Sequence, residues 1–274
     1  MNDKSDNNGA LRVGAVSYLN TKPLVYGLAE SLTHADLVFD LPSRLADGLA
    51  NHDLDVALIP SIEFFADPTY EIVSDACIAC RGPVLSVKLM SRCPIRDIKT
   101  LALDEGSRTS VALVRILLRE RYQLEPELRP LPIGQALHHA DADALLVIGD
   151  RAIGPDDGEL VDTWDLGEEW CRWSGLPFVF AMWTARGGVD VVDLEAALTQ
   201  ARDAGVERLS AIADAESPTV GMTPAACLSY LRDNLYFYLG EREQRGLQLF
   251  YEHAAALGLA PPGLEIRASG CTYS

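Results

Sequence analysis

Nowhere in the 274 residues does an apolar run reach the roughly 18 positions that a membrane-spanning helix needs. Basic residues are scarce. Only 23 Lys and Arg stand against 40 Asp and Glu, giving a net charge of −17. Such a field repels nucleic acids and anionic membranes, which are bound through basic patches, so neither is an expected partner. The first ten residues, MNDKSDNNGA, lack the apolar stretch of a secretory signal, and the expected location is the cytoplasm. There is no GxSxG, no Walker A, no HExxH and no dinucleotide GxGxxG. The five histidines, His34, His52, His138, His139 and His253, fall on predicted helices or loops away from strand ends and read as surface or helix-face residues.

Cysteine chemistry is equally thin. Cys77, Cys80, Cys93, Cys171, Cys227 and Cys271 read as reduced, mostly buried thiols in a cytosolic chain of this size. Cys77 and Cys80 have CxxC spacing, but no second pair or His cluster accompanies them. They sit in an apolar, strand-like run, where residues three apart point to opposite faces. No metal is expected.

What is present is a core and a pattern. The chain is 48% hydrophobic, enough for one large domain or two lobes. Short apolar strands alternate with helices: strands at 11–16, 37–41 and 55–59, helices at 23–31, 43–51 and 61–65. After an extended stretch at 70–90, a second α/β unit follows, with strands at 100–103, 144–148 and 178–183 and a helix at 109–122. Helices are expected at 194–212, 223–238 and 242–257. Strands this apolar between helices predict an α/β fold with mostly parallel sheets flanked by helices. The expected division is a discontinuous first lobe, 1–91 with 183–274, and an inserted second lobe, 92–182, with a ligand cleft between them.

Four predicted strands end in turns that place hydroxyl or amide side chains at helix starts. These are Ser17-Tyr18-Leu19-Asn20, Pro42-Ser43, Pro60-Ser61 and Gly106-Ser107-Arg108-Thr109-Ser110. Helix N-termini offer free N–H groups and a positive dipole end, so converging ones would hold a carboxylate in an acidic protein. Each such residue is also an ordinary N-cap. Only the 106–110 run exceeds what one cap requires, and Arg108 adds a charge suited to a carboxylate. Glu63 and Asp150 are acids at strand ends, and Trp164, Trp170, Trp173 and Phe178 read as core or cleft wall. No nucleophile or base stands out.

These residues carry a resemblance. VGAVSYLNTKPL at 13–24, DVALIPS at 55–61, CIACRGPVLSV at 77–87, SRTSVAL at 107–113, LVIGD at 146–150 and GLPFVFA at 175–181 resemble, in order, the blocks of the chorismate dehydratases of the futalosine route to menaquinone. The blocks span residues 12–185, about two-thirds of the chain. Cys80 stands where that family usually has Ser, and Leu85 where it usually has Arg. The resemblance implies a two-lobed type II periplasmic-binding-protein-like fold, a small dicarboxylate substrate, chorismate, and no cofactor. It implies catalytic roles for Asn20 and Ser86, and substrate binding by Ser17, Tyr18, Ser61, Ser107, Arg108, Thr109, Ser110, Gly149, Asp150, Pro177 and Phe178; Ser43, outside the blocks, is expected to bind substrate as a helix start. A related 1,4-dihydroxy-6-naphthoate synthase, expected to carry a His base, and a non-catalytic carboxylate sensor of the same fold are the alternatives. Monomer and homodimer both stay open.

Overall fold

The computed structural model describes residues 10–32, 35–153, 160–264 and 266. The N-terminal residues 1–9, His34 and Cys271 lie outside them. Strand β1 (Leu11–Val16) turns buried at its third residue and leads into a 3-10 helix, Leu19–Val25. The helix expected at 23–31 is thus replaced by that tighter coil and a single turn, α1 (Leu28–Ser31). Gly27, in the left-handed region, separates the two. Next come β2 (Ala35–Asp40), α2 (Pro42–Ala50), the wholly buried β3 (Val56–Pro60) and a one-turn α3 (Ser61–Phe64). Pro42 opens α2 where a missing N–H costs nothing.

The extended stretch is two strands, β4 (Glu71–Cys80) and β5 (Val87–Ser91). The second α/β unit holds β6 (Thr100–Asp104), α4 (Arg108–Tyr122), β7 (Glu127–Leu131), β8 (Ala144–Ile148) and β9 (Asp162–Asp165). It closes with α5 (Leu166–Ser174). Then come β10 (Phe178–Ala185), α6 (Val192–Glu207), α7 (Leu209–Val220), α8 (Pro224–Ser229), β11 (Tyr236–Tyr238) and α9 (Glu241–Ala256). The helix expected at 223–238 stops at Ser229, continues as a π-turn over Tyr230–Asn234, and gives way to β11. Its aromatic tail pairs with the edge of β4, and Leu235 is already extended. The helix expected at 194–212 breaks at Arg208.

Two sheets result. The six-stranded one runs β11-β4-β10-β3-β1-β2, the five-stranded one β7-β6-β8-β5-β9. The α/β class stands, but the sheets are mixed rather than mostly parallel. β1 is parallel to β2 and β3, and β6 to β7 and β8, whereas β4, β5, β9, β10 and β11 join antiparallel. A strand buried on both faces reads the same whichever way its neighbour runs. β5 lies in the second sheet and all of β10 in the first, so the chain passes between sheets at residues 81–86 and 175–177. The expected lobe boundaries lay a few residues further on.

Candidate functional site

A cleft between the two sheets is lined at the carboxyl ends of strands by Val16, Pro60 and Ile148, where open α/β sheets bind ligands. Its polar lining is Tyr18, Asn20, Ser86, Ser107, Ser110 and the backbone of Gly149; its apolar wall includes Ile78, Val84 and Phe180. Among the described residues no charged side chain lines it. An anion there would be met by hydroxyls, amides and the positive end of the four-turn helix α4.

Ser107 caps α4: its Oγ accepts the Ser110 N–H at 3.2 Å and donates to Ser110 Oγ at 2.8 Å. Both side chains are buried at the cleft. Gly149 sits at φ +70°, and a Cβ there would lie 3.0 Å from the Tyr18 ring. Only glycine lets that ring from the other sheet close over the end of β8. Burial, and next the Asp104 carboxylate, push the Tyr18 hydroxyl up to about 12, so it remains a hydrogen-bond donor. Asp104 is itself held by Arg151, with Nε at 3.1 Å.

Ser86 is presented by a strained turn. Leu85 lies at φ +60°, a region a branched residue rarely adopts, and the Ser86 N–H reaches back to the Val84 carbonyl at 2.7 Å. The Asp165 carboxylate holds this turn by accepting the N–H groups of Val84 at 2.9 Å and Leu85 at 2.6 Å. It also caps α5 through the Glu168 N–H at 3.0 Å. Burial pushes the Asp165 carboxyl above its ordinary range against these bonds, which favour the charged form. The Leu85 side chain packs against the core. Such strain persists only where surrounding structure enforces it, and it concentrates at functional sites.

The structure brings together Tyr18, Asn20, Ser86, Ser107, Ser110 and Gly149 and leaves other expected residues outside the lining. Ser17 is exposed, and Ser43 is buried inside the first turn of α2, where its neighbour Pro42 lines the cleft instead. Ser61 donates to the Val179 carbonyl at 2.7 Å and approaches Thr109, whose hydroxyl accepts the Ile62 N–H at 3.2 Å. Arg108, expected to grip a carboxylate of the ligand, is already bound to two of the protein's own: Asp47 at 2.7 Å and Glu63 at 3.1 Å. The Pro177 carbonyl accepts the Trp170 indole N–H at 3.1 Å, and Phe178 packs edge-on against Trp170 and Phe250. Both belong to the core, and Phe180 supplies the aromatic wall.

Asp150 lies beside the cleft, accepting the Leu19 N–H across the sheets at 3.3 Å. Burial pushes its carboxyl above the ordinary range, partly countered by that N–H and by Lys22. Among the described residues no histidine lines the cleft; His52, His138 and His139 are exposed. Cys77 and Cys80 are both fully buried thiols on β4, and among the described residues no group of three His, Cys, Asp or Glu side chains would hold a metal ion. Nor is any helix among them long and apolar enough to cross a membrane. Sequence reading missed Phe180 as a wall of the cleft.

Two sheets with a polar cleft at their strand ends, and the chain crossing between them twice, define a periplasmic-binding-protein-like fold. An Archaeoglobus fulgidus protein of known crystal structure superposes with a TM-score of 0.77 at 18% identity, covering 93% of this chain and 99% of that one. The alkanesulfonate-binding protein of Xanthomonas axonopodis gives 0.59 at 13%, covering 92% and 94%. A Candida albicans protein described as having the generic periplasmic-binding-protein fold gives 0.56 at 10%, covering 96% and 99%. Within that fold class the chain belongs to the menaquinone biosynthesis family, which it matches over residues 11–256. Thermus thermophilus chorismate dehydratase is 31% identical over 265 residues, covering 90% of this chain and 95% of that protein.

Proposed function

We propose that this chain is a chorismate dehydratase, a lyase that removes water from chorismate to give 3-[(1-carboxyvinyl)oxy]benzoate on the futalosine route. The observation that carries this reading is the cleft. In a chain so similar to the Thermus enzyme, Asn20, Ser86, Ser107 and Ser110 line one uncharged cavity at the start of α4. The two sheets then correspond to two lobes, and the substrate is a small dicarboxylate held between them.

The reaction breaks the C–H bond at the ring carbon bearing the enolpyruvyl ether, and the neighbouring C–O bond. The C–H electron pair becomes the new ring double bond, the hydroxyl leaves as water, and the ring becomes aromatic. In this reading the start of α4, with Ser107 and Ser110, holds one carboxylate, while Asn20 and Ser86 orient the departing hydroxyl and the ether side chain. With no acid or histidine among the described residues lining the cleft, the substrate's own side-chain carboxylate takes the ring proton and passes it to the departing hydroxyl, which leaves as water. The protein contributes orientation and exclusion of water.

Purified protein incubated with chorismate should consume it and form the aromatic product. Saturable binding without conversion would favour a sensor. Asn20→Ala should lower turnover about 100-fold, the scale of losing one oriented polar group. If Asp150→Asn or Glu63→Gln alone abolished turnover while binding survived, a protein base would replace the substrate carboxylate.

A further inference from the structure

Tyr230 is 1% exposed, and its hydroxyl is one of three buried side-chain polar atoms without a hydrogen-bond partner among the described residues. A buried, unpaired hydroxyl costs about 1–3 kcal/mol, and phenylalanine would fill the same space without that cost. The side chains facing this hydroxyl are Ser86 and Asn20, which favour its ionised form; burial outweighs them and holds the phenol well above its ordinary pKa. It is therefore a donor at any working pH.

The backbone around Tyr230 is unusual as well. Tyr230–Asn234 forms a π-turn, a feature that recurs at functional sites. The turn is pinned to the passage between the sheets, because Asn234 Nδ2 donates to the Pro83 carbonyl at 2.9 Å. Three residues further along that passage stands Ser86. Asn20 arrives from the other direction, after β1. Among the described residues its Oδ1 accepts only a long bond from Thr21, at 3.4 Å. The two cleft-lining side chains thus share one neighbour behind the wall, and that neighbour has an unspent donor.

We propose that Tyr230 is a positioning residue of the dehydration: its free hydroxyl is taken up by Asn20 and Ser86 in the substrate complex and fixes how both face the substrate. This rests on the chorismate dehydratase reading. The phenol does not touch substrate; it acts through the two side chains that do.

The test is Tyr230→Phe in the full chain, alone and combined with Asn20→Ala, with chorismate as substrate. Tyr230→Phe should lower kcat about tenfold and leave KM within about twofold, with thermal stability equal to or above wild type. In the Asn20→Ala background the same change should cost less, about threefold, because one of the two residues it positions is gone. A wild-type kcat in Tyr230→Phe, or an undiminished loss in the double variant, overturns the proposal. A loss of stability with kcat preserved overturns it too, by making the residue merely structural. If wild-type protein fails to convert chorismate, the dehydratase reading falls and takes this proposal with it. Wild-type turnover with an unaffected Tyr230→Phe sinks this proposal alone.

Discussion

The start of α4 has two faces that do different things with the same residue types. Ser107 and Ser110, three apart and therefore on one side of the helix, line the cleft. Arg108 and Thr109, rotated away from them, reach across to the other sheet's helices, Arg108 to Asp47 and Glu63 and Thr109 to Ser61 and Ile62. One polar run is thus half binding surface and half latch. In sequence the four residues look like a single anion site, with the arginine as its strongest member. In space the arginine is the member already neutralised.

The largest expected effect of separating the faces falls on the cleft side. Ser107→Ala with Ser110→Ala removes two hydroxyls facing the proposed carboxylate, each hydrogen bond to a charged group contributing about 1.5–3 kcal/mol. The expected loss in kcat/KM is about 100-fold, near 2.7 kcal/mol. Stability should fall by about 1 kcal/mol for the lost cap. Steady-state assays with chorismate and a denaturant titration measure both.

Arg108→Ala should do less. Its pairs are half-exposed, worth about 0.2–1 kcal/mol each, and screened by salt. The expected outcome is a KM raised about threefold with kcat within about twofold, because closure of the sheets over ligand becomes looser but the chemistry keeps its groups. A kcat loss as deep as that of the serine pair would mean the guanidinium swings into the cleft, and the contrast between the faces would fail. Ser61→Ala is smaller again on turnover, within about twofold, while stability drops by about 1 kcal/mol because the buried Val179 carbonyl loses its donor.

How legible the two faces were follows from what local sequence encodes. The α4 helix and strand Ala144–Ile148 were readable because apolar periodicity and length leave few options. The helix starts were readable as caps for the same reason. Which cap faces a ligand depends on what lies opposite, and the partners of Arg108 are 45 and 61 residues away in sequence. The Leu85 turn was visible only as a departure from the family's usual Arg. Its left-handed backbone is imposed by Asp165, 80 residues on. Tyr230 was hidden because a π-turn needs one extra residue per turn and leaves no pattern of its own. Strand direction was hidden too, since β4 and β10 are buried on both faces.

The smallest effect concerns pH, and it separates a carboxylate beside the cleft from one that serves only architecture. Asp55 is held by Arg12 and Arg186 at the far end of β1 and β3. Burial opposes its ionisation, yet the Arg12 N–H and the two guanidinium groups together draw its carboxyl below the ordinary range. Its contribution is therefore complete above the unfolded carboxylate pKa and is lost as pH falls through the lower folded value. Asp150 is the reverse. Burial raises its folded pKa, so the folded state binds more protons in the window between the two values, and stability declines as pH rises through it. Asp55→Asn should thus cost most at neutral pH and progressively less in acid. Asp150→Asn should gain stability relative to wild type at neutral pH, with the gain shrinking as pH falls into the carboxylate range. Thermal melts of the two variants and wild type across that range check the opposite slopes. Parallel slopes would mean that Asp150 is as well satisfied as Asp55, and that no buried carboxylate is kept beside the cleft at a cost to stability.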